Sequence, residues 1–188
     1  MSLACNRFFD PSRERTMVKV LPGQYFVTGG EELLATTLGS CVCACVWDPL
    51  ARIGGLNHFM LPEGNPDTLS QANRYGTHAM ESLINGLLAL GAHRDRLLAK
   101  LFGGARVFGE GSVGDMNIDF VRRFVAREGL QVVSECLGGQ LALKVLFEPQ
   151  DGRAWVKRLK QLPNDTLIRR EVRLANAIAQ ETRVELFK

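Results

Sequence analysis

Residues 35–62 read ATTLGSCVCACVWDPLARIGGLNHFMLP. Cys41, Cys43 and Cys45 alternate with Val42, Ala44 and Val46, and on an extended strand side chains two apart share a face. The run ends at Asp48–Pro49, and a second apolar run begins at Ile53. Two strands joined by a short connection are therefore expected over Cys41–Trp47 and Ile53–Met60. The same signature, short runs rich in Val, Ile, Leu, Phe or Cys between turn residues, recurs along the chain. It predicts strands at Gln24–Thr28, Leu97–Phe102, Gln131–Cys136, Ala142–Phe147 and Ala154–Lys157.

Two stretches depart from this rhythm. Ala79, Leu83, Leu87 and Leu90 recur at helical spacing, and Gly91 stops the helix expected over Tyr75–Leu90. Ile118, Val121, Phe124 and Val125 form one apolar face of a second helix, Asn117–Glu128, stopped by Gly129. Strands outnumber helices and most links are short, so the expected class is α/β, a layered sandwich of β-sheets and helices around one core. Residues 1–18, polar and broken by Pro11, read as a flexible arm. Residues 19–162 then form the domain, and residues 163–188 a charged, helical C-terminal extension.

With 188 residues, 46% hydrophobic and 23% charged, the chain can bury a core of ordinary size. A net charge of +3 is too small to argue for nucleic acid, which is not expected as a partner, and the basic cluster Arg153–Arg173 interleaves with acidic residues as a solvated face does. No apolar run approaches the roughly 20 residues of a membrane span, and the N-terminus does not read as a signal peptide. The expected location is the cytoplasm, without membrane insertion. Five cysteines, an odd count, argue against a disulfide framework.

Each thiol is then a small buried hydrophobe, a metal ligand or a nucleophile. Cys43 and Cys45, mid-strand, fit the first description. Zinc on Cys41, Cys43, Cys45 and His58 is disfavoured, because structural sites pair cysteines two to four residues apart and this spacing strings the sulfurs along a line. Cys41 stands apart because Gly39 and Ser40 turn the chain before it, so it should be reachable at the strand edge. Glycine there also lets backbone N–H groups approach a developing oxyanion. A free thiol with a pKa of about 8.5 needs a base. His58 lies on the next strand, whereas His78 and His93 fit surface or packing roles. A Cys–His pair permits amide, ester or thioester hydrolysis and acyl transfer without choosing among them.

Several motifs together narrow that choice. Leu38–Val42 (LGSCV), Gly54–Pro62 (GGLNHFMLP), Arg74–Tyr75, Lys100–Phe108 (KLFGGARVF) and Gly114–Asn117 resemble the chemoreceptor glutamine deamidase family, CheD. The resemblance spans roughly Leu21–Leu159. Gly138–Phe147 matches less well, with Leu143 where relatives often carry a basic residue. The resemblance implies a fold similar to the catalytic domains of glutamine-deamidating toxins. It also implies Cys41 as nucleophile, His58 as base, and a threonine shortly before the cysteine as third catalytic residue, Thr36 ahead of Thr37. The implied reaction converts receptor glutamine to glutamate through a thioester, which makes the chain a protein-glutamine glutaminase acting in chemotaxis. Receptor methylesterase activity is compatible with the same pair. Chemoreceptors would be the protein substrate, a CheC-like phosphatase a partner as in some relatives, and no cofactor is needed. A non-catalytic binding module of the signalling complex, or another thiol amidohydrolase or transamidase, is the alternative. Gly103–Gly104 and Gly138–Gly139 are ordinary turn residues or the border of a substrate groove.

Overall fold

Asp48 makes the turn that pairs the two strands at the centre of the molecule. Its carboxylate accepts the N–H groups of Leu50 and Ala51, and Arg52 adopts a left-handed φ of 56° before the chain reverses. The computed structural model describes residues 2–4, 6–61, 69–106, 113–160 and 173. They form two sheets and two α-helices. The first sheet has the order β1 (Ser2–Leu3), β4 (Gln24–Thr28), β7 (Ile53–His58), β6 (Val42–Asp48), β8 (Leu98–Gly103), β9 (Gln131–Leu137). The second has the order β11 (Ala154–Leu159), β10 (Ala142–Phe147), β5 (Leu33–Leu38), β3 (Arg15–Lys19), β2 (Asn6–Asp10). Helices α1 (Leu69–Ala89) and α2 (Val113–Arg127) cover the first sheet.

The strand period of two sorts β6 between two cores. Val42, Ala44 and Val46 pack with Phe59, Leu83, Leu87, Phe120 and Phe124 under the helices. Cys41, Cys43, Cys45 and Trp47 face the other way, against Leu34, Leu38, Val145 and Phe147 of the second sheet. Helices, sheet and sheet thus make the three layers of an α/β sandwich. Burying each Leu or Phe side chain contributes about 1.5–3 kcal/mol, so both faces of the first sheet are firmly committed.

Three expectations change. The segment read as an N-terminal arm is part of the sheets: β3 pairs with β5 in parallel and β2 with β3 antiparallel, and Val18 is fully buried. Its polar character belongs to the edge strand β2, whose side chains are mostly exposed while its backbone is paired with β3. Leu33–Leu38, not expected as a strand, lies inside the second sheet between β10 and β3. The helices begin earlier than their apolar faces alone indicate, at Leu69 and Val113. The C-terminal extension expected over residues 163–188 lies, but for Arg173, outside the described residues.

Candidate active site

Thr36 and His58 meet between the two sheets. Thr36 points inward with Leu34 and Leu38 on β5, and His58 ends β7; their exposures are 2% and 1%. The Thr36 hydroxyl donates to the Val20 carbonyl at 2.8 Å and lies 2.8 Å from Nδ1 of His58. A hydroxyl has one proton to give. Because Val20 receives it, the oxygen accepts from Nδ1–H, so in its neutral form the imidazole carries its proton on Nδ1 and its basic lone pair on Nε2. Thr37 sits on the opposite face of the strand, across from Lys144. The structure therefore brings Thr36, and not Thr37, to the histidine.

The thiols share the face of β6 that looks toward this pair. Val42 and Phe59 exchange two backbone hydrogen bonds of 3.0 Å, and Cys45 pairs with Leu56 in the same register. Counting along that register sets Cys43 across from His58 and Cys41 diagonally beside it. Between these pairs the ladder opens: Ala44 N–H donates to the Asn57 side chain at 2.9 Å, and the Asn57 amide reaches the Ala79 carbonyl of α1 at 3.1 Å. Exposure does not separate the cysteines, since Cys41, Cys43 and Cys45 are all at 0%. The expected accessibility of Cys41 is thus not a feature of the described residues, because the second sheet closes over the strand edge. Burial pushes the Cys45 thiol well above its ordinary pKa, aided by its hydrogen bond with Cys43.

Backbone geometry does separate them. Cys43 lies within the paired strand, opposite Phe102 of β8. Cys41 precedes the strand in a turn whose carbonyls are held one after another. Gly39 O accepts from Ala105 N at 2.8 Å, Ser40 O from the Asn117 side chain at 2.9 Å, and Cys41 O from Gly104 N at 2.7 Å. This arrangement explains the first glycine pair. Gly103 has φ 109°, and a Cβ there would collide with the Cys41 carbonyl oxygen, so only glycine lets the β8 turn close on the Cys41 turn. The second pair supports the first, with Gly138 N–H donating to Gly103 O and Arg106 N–H to Gly139 O, both at 2.8 Å.

In sequence Asn117 stands out only as the end of the Gly114–Asn117 motif, with no role of its own, yet a further signal existed. On α2 it falls in the buried stripe with Val113, Phe120, Val121 and Phe124, and a fully buried amide in an apolar stripe demands partners. The remaining histidines are elsewhere and exposed, His78 on α1 and His93 before the short 3₁₀ turn at Arg94–Arg96. Among the described residues, no three of His, Cys, Asp and Glu are arranged to hold a metal ion. No helix among them is long and apolar enough to cross a membrane.

Comparison with known proteins places the chain in a family. The chain is 47% identical to the probable chemoreceptor glutamine deamidase CheD of Vibrio vulnificus strain YJ016, covering 97% of this chain and 92% of the relative. It is 50% identical to the Hahella chejuensis protein of the same description over 88% and 81% of the two chains. A Halorhodospira halophila relative, also so described, is 48% identical over 94% and 85%. Among solved structures, the Bacillus licheniformis hypothetical protein YfiH overlaps 60% of this chain and 49% of its own at a TM-score of 0.42 and 12% identity. The family pattern described as CheD chemotactic sensory transduction matches residues 60–158, which start just beyond His58. With relatives of 47–50% identity matched along most of its length, this chain belongs to the CheD family.

Proposed function

We propose that this protein hydrolyses the side-chain amide of glutamine residues on chemoreceptors, with Cys41 as nucleophile and His58 as general base. The observation that carries the reading is the Val20–Thr36–His58 chain of hydrogen bonds, which assigns the basic lone pair of the neutral ring to Nε2. A third group that orients an imidazole and selects its tautomer is what a nucleophile–base pair requires. The relatives described as chemoreceptor glutamine deamidases supply the substrate class.

In this mechanism Nε2 takes the Cys41 proton as the sulfur attacks the glutamine carboxamide carbon. The C=O π pair moves onto oxygen, where backbone N–H groups of the Gly39–Cys41 turn stabilise the oxyanion. The tetrahedral intermediate collapses, the C–N bond breaks, and the imidazolium protonates the leaving nitrogen to release ammonia. Water, deprotonated by Nε2, attacks the resulting thioester. Glutamate leaves, and the proton returns to sulfur. Thr36 accepts from Nδ1–H throughout and favours the imidazolium form that appears in both steps. A methyl ester of glutamate would give the same thioester with methanol as leaving group, so receptor methylesterase activity follows from the same pair.

The test is to incubate purified receptor with the enzyme and measure ammonia together with intact receptor mass. Each event should add about one mass unit and release one equivalent of ammonia, with the backbone uncut. Cleaved receptor would make the protein a protease. Receptor bound without release of ammonia would make it a binding module.

A further inference from the structure

Asn117 joins the two segments that carry the candidate chemistry. Its side chain is fully buried, its Nδ2 donates to Ser40 O at 2.9 Å, and its Oδ1 accepts from Leu61 N–H at 2.7 Å. Ser40 immediately precedes the nucleophile, and Leu61 lies three residues after the histidine. The carboxamide has one orientation that satisfies both, because one partner offers only an acceptor and the other only a donor. We propose that Asn117 is a positioning residue for deamidation, fixing the Ser40–Cys41 peptide plane and with it the Cys41 N–H that donates to the oxyanion. This rests on Cys41 being the nucleophile.

The argument is planar geometry. A trans peptide holds its C=O and the following N–H in one plane and pointing in opposite directions. Anchoring Ser40 O on α2 therefore directs the Cys41 N–H away from that helix. Flipping this peptide would turn ψ of Ser40 and φ of Cys41 together, and the bond from Asn117 to Ser40 O opposes that rotation. The neighbouring carbonyls, Gly39 O and Cys41 O, are held by Ala105 and Gly104 backbone N–H groups, and the middle one by the Asn117 side chain. An oxyanion donor works only if it is aimed before charge develops, and loss of one such donor costs on the order of 10²- to 10³-fold in turnover. The tie to Leu61 uses the same carboxamide, so the plane is set relative to the histidine segment and not merely to α2.

The test compares Asn117→Leu and Asn117→Asp with the parent in ammonia release from purified receptor, across receptor concentration and pH. Circular dichroism establishes that each variant is folded. For Asn117→Leu, neutral and similar in size, kcat should fall on the order of 10²-fold. KM should stay within about threefold, and the inflections of the kcat/KM–pH profile should not move, since thiol and imidazole are untouched. A merely structural role would loosen the site, raising KM or shifting those inflections. Asn117→Asp keeps the acceptor for Leu61 and presents a carboxylate oxygen to Ser40 O. Its turnover relative to the parent should recover as pH falls, because a protonated acid regains the donor, and burial moves that protonation above the ordinary carboxylate range. A folded Asn117→Leu with kcat within threefold of the parent overturns the proposal, as does an Asn117→Asp ratio flat with pH. Full activity in Cys41→Ala is a separate result that removes the nucleophile assignment itself.

Discussion

The two ends of β6 both bury polar chemistry, and they do opposite things with it. At one end Asp48 is fully buried and accepts from Leu50, Ala51 and His93 N–H and from Arg96 at 2.7–3.1 Å. Every partner favours the anion, and the Arg96 guanidinium foremost holds the carboxyl well below its usual range. At the other end His58 is as deeply buried, but Thr36 engages its Nδ1 and the thiols lie on the adjoining strand. One cluster freezes a charge state, whereas the other engages one imidazole nitrogen and, in the mechanism proposed above, leaves the other to exchange a proton with sulfur. Burial and perturbation alone therefore do not mark an active site. The distinction lies in whether the partners stabilise one protonation state or permit two.

Replacing the proposed nucleophile should break this contrast most severely. Cys41→Ala should lower ammonia release on the order of 10⁴-fold or more while its melting curve stays close to that of the parent. Cys43→Ala should retain activity within a few-fold. If instead Cys43→Ala is dead and Cys41→Ala active, the thiol directly across from His58 is the nucleophile, and the turn is structural.

The Asp48 end should respond in the other currency. Asp48→Ala leaves the Leu50, Ala51 and His93 N–H groups without their acceptor and should cost about 1–3 kcal/mol in urea unfolding, with kcat of the folded fraction unchanged. The pH dependence has a definite sign. Asp48 has a depressed folded pKa, so its contribution is complete above the unfolded value of about 3.9 and is lost as pH falls through the folded one. The stability gap between the parent and Asp48→Asn should accordingly narrow only below about pH 4. A gap that narrows near neutrality would point to another group.

Smaller effects sharpen the tautomer argument. Thr36→Val removes the acceptor for Nδ1–H and should lower kcat roughly 10- to 100-fold with receptor binding unchanged, whereas Thr36→Ser restores most of it. Thr37→Val, on the far face, should stay within about twofold. Equal losses at Thr36 and Thr37 would mean that strand stability, not the histidine, is being measured. The smallest effect is expected at Cys45, whose thiol burial keeps protonated. Cys45→Ala should cost about 1 kcal/mol in stability and leave turnover within twofold.

Much of this was legible in the residues. Alternation in Cys41–Trp47, the Asp48 turn and the Ile53 run specified the central hairpin, and the Leu83–Leu87 spacing with Gly91 specified α1. The motifs around Cys41 and His58 specified the family. These are local signals, carried by side-chain periodicity and by glycines that only certain turns require. β2, β3 and β5 were not legible, because short strands with charged or threonine-rich faces declare themselves only through their partners. Nor could sequence choose between Thr36 and Thr37. A period of two places them on opposite faces without saying which face is inward, and the pairing of β5 with β3 and β10 decides it. The burial of Cys41 and the reach of Asn117 from α2 to Ser40, 77 residues away in the chain, belong wholly to the tertiary structure. Such contacts join segments whose separation in sequence carries no periodic trace, and they exist only once two sheets and a helix have closed on one another.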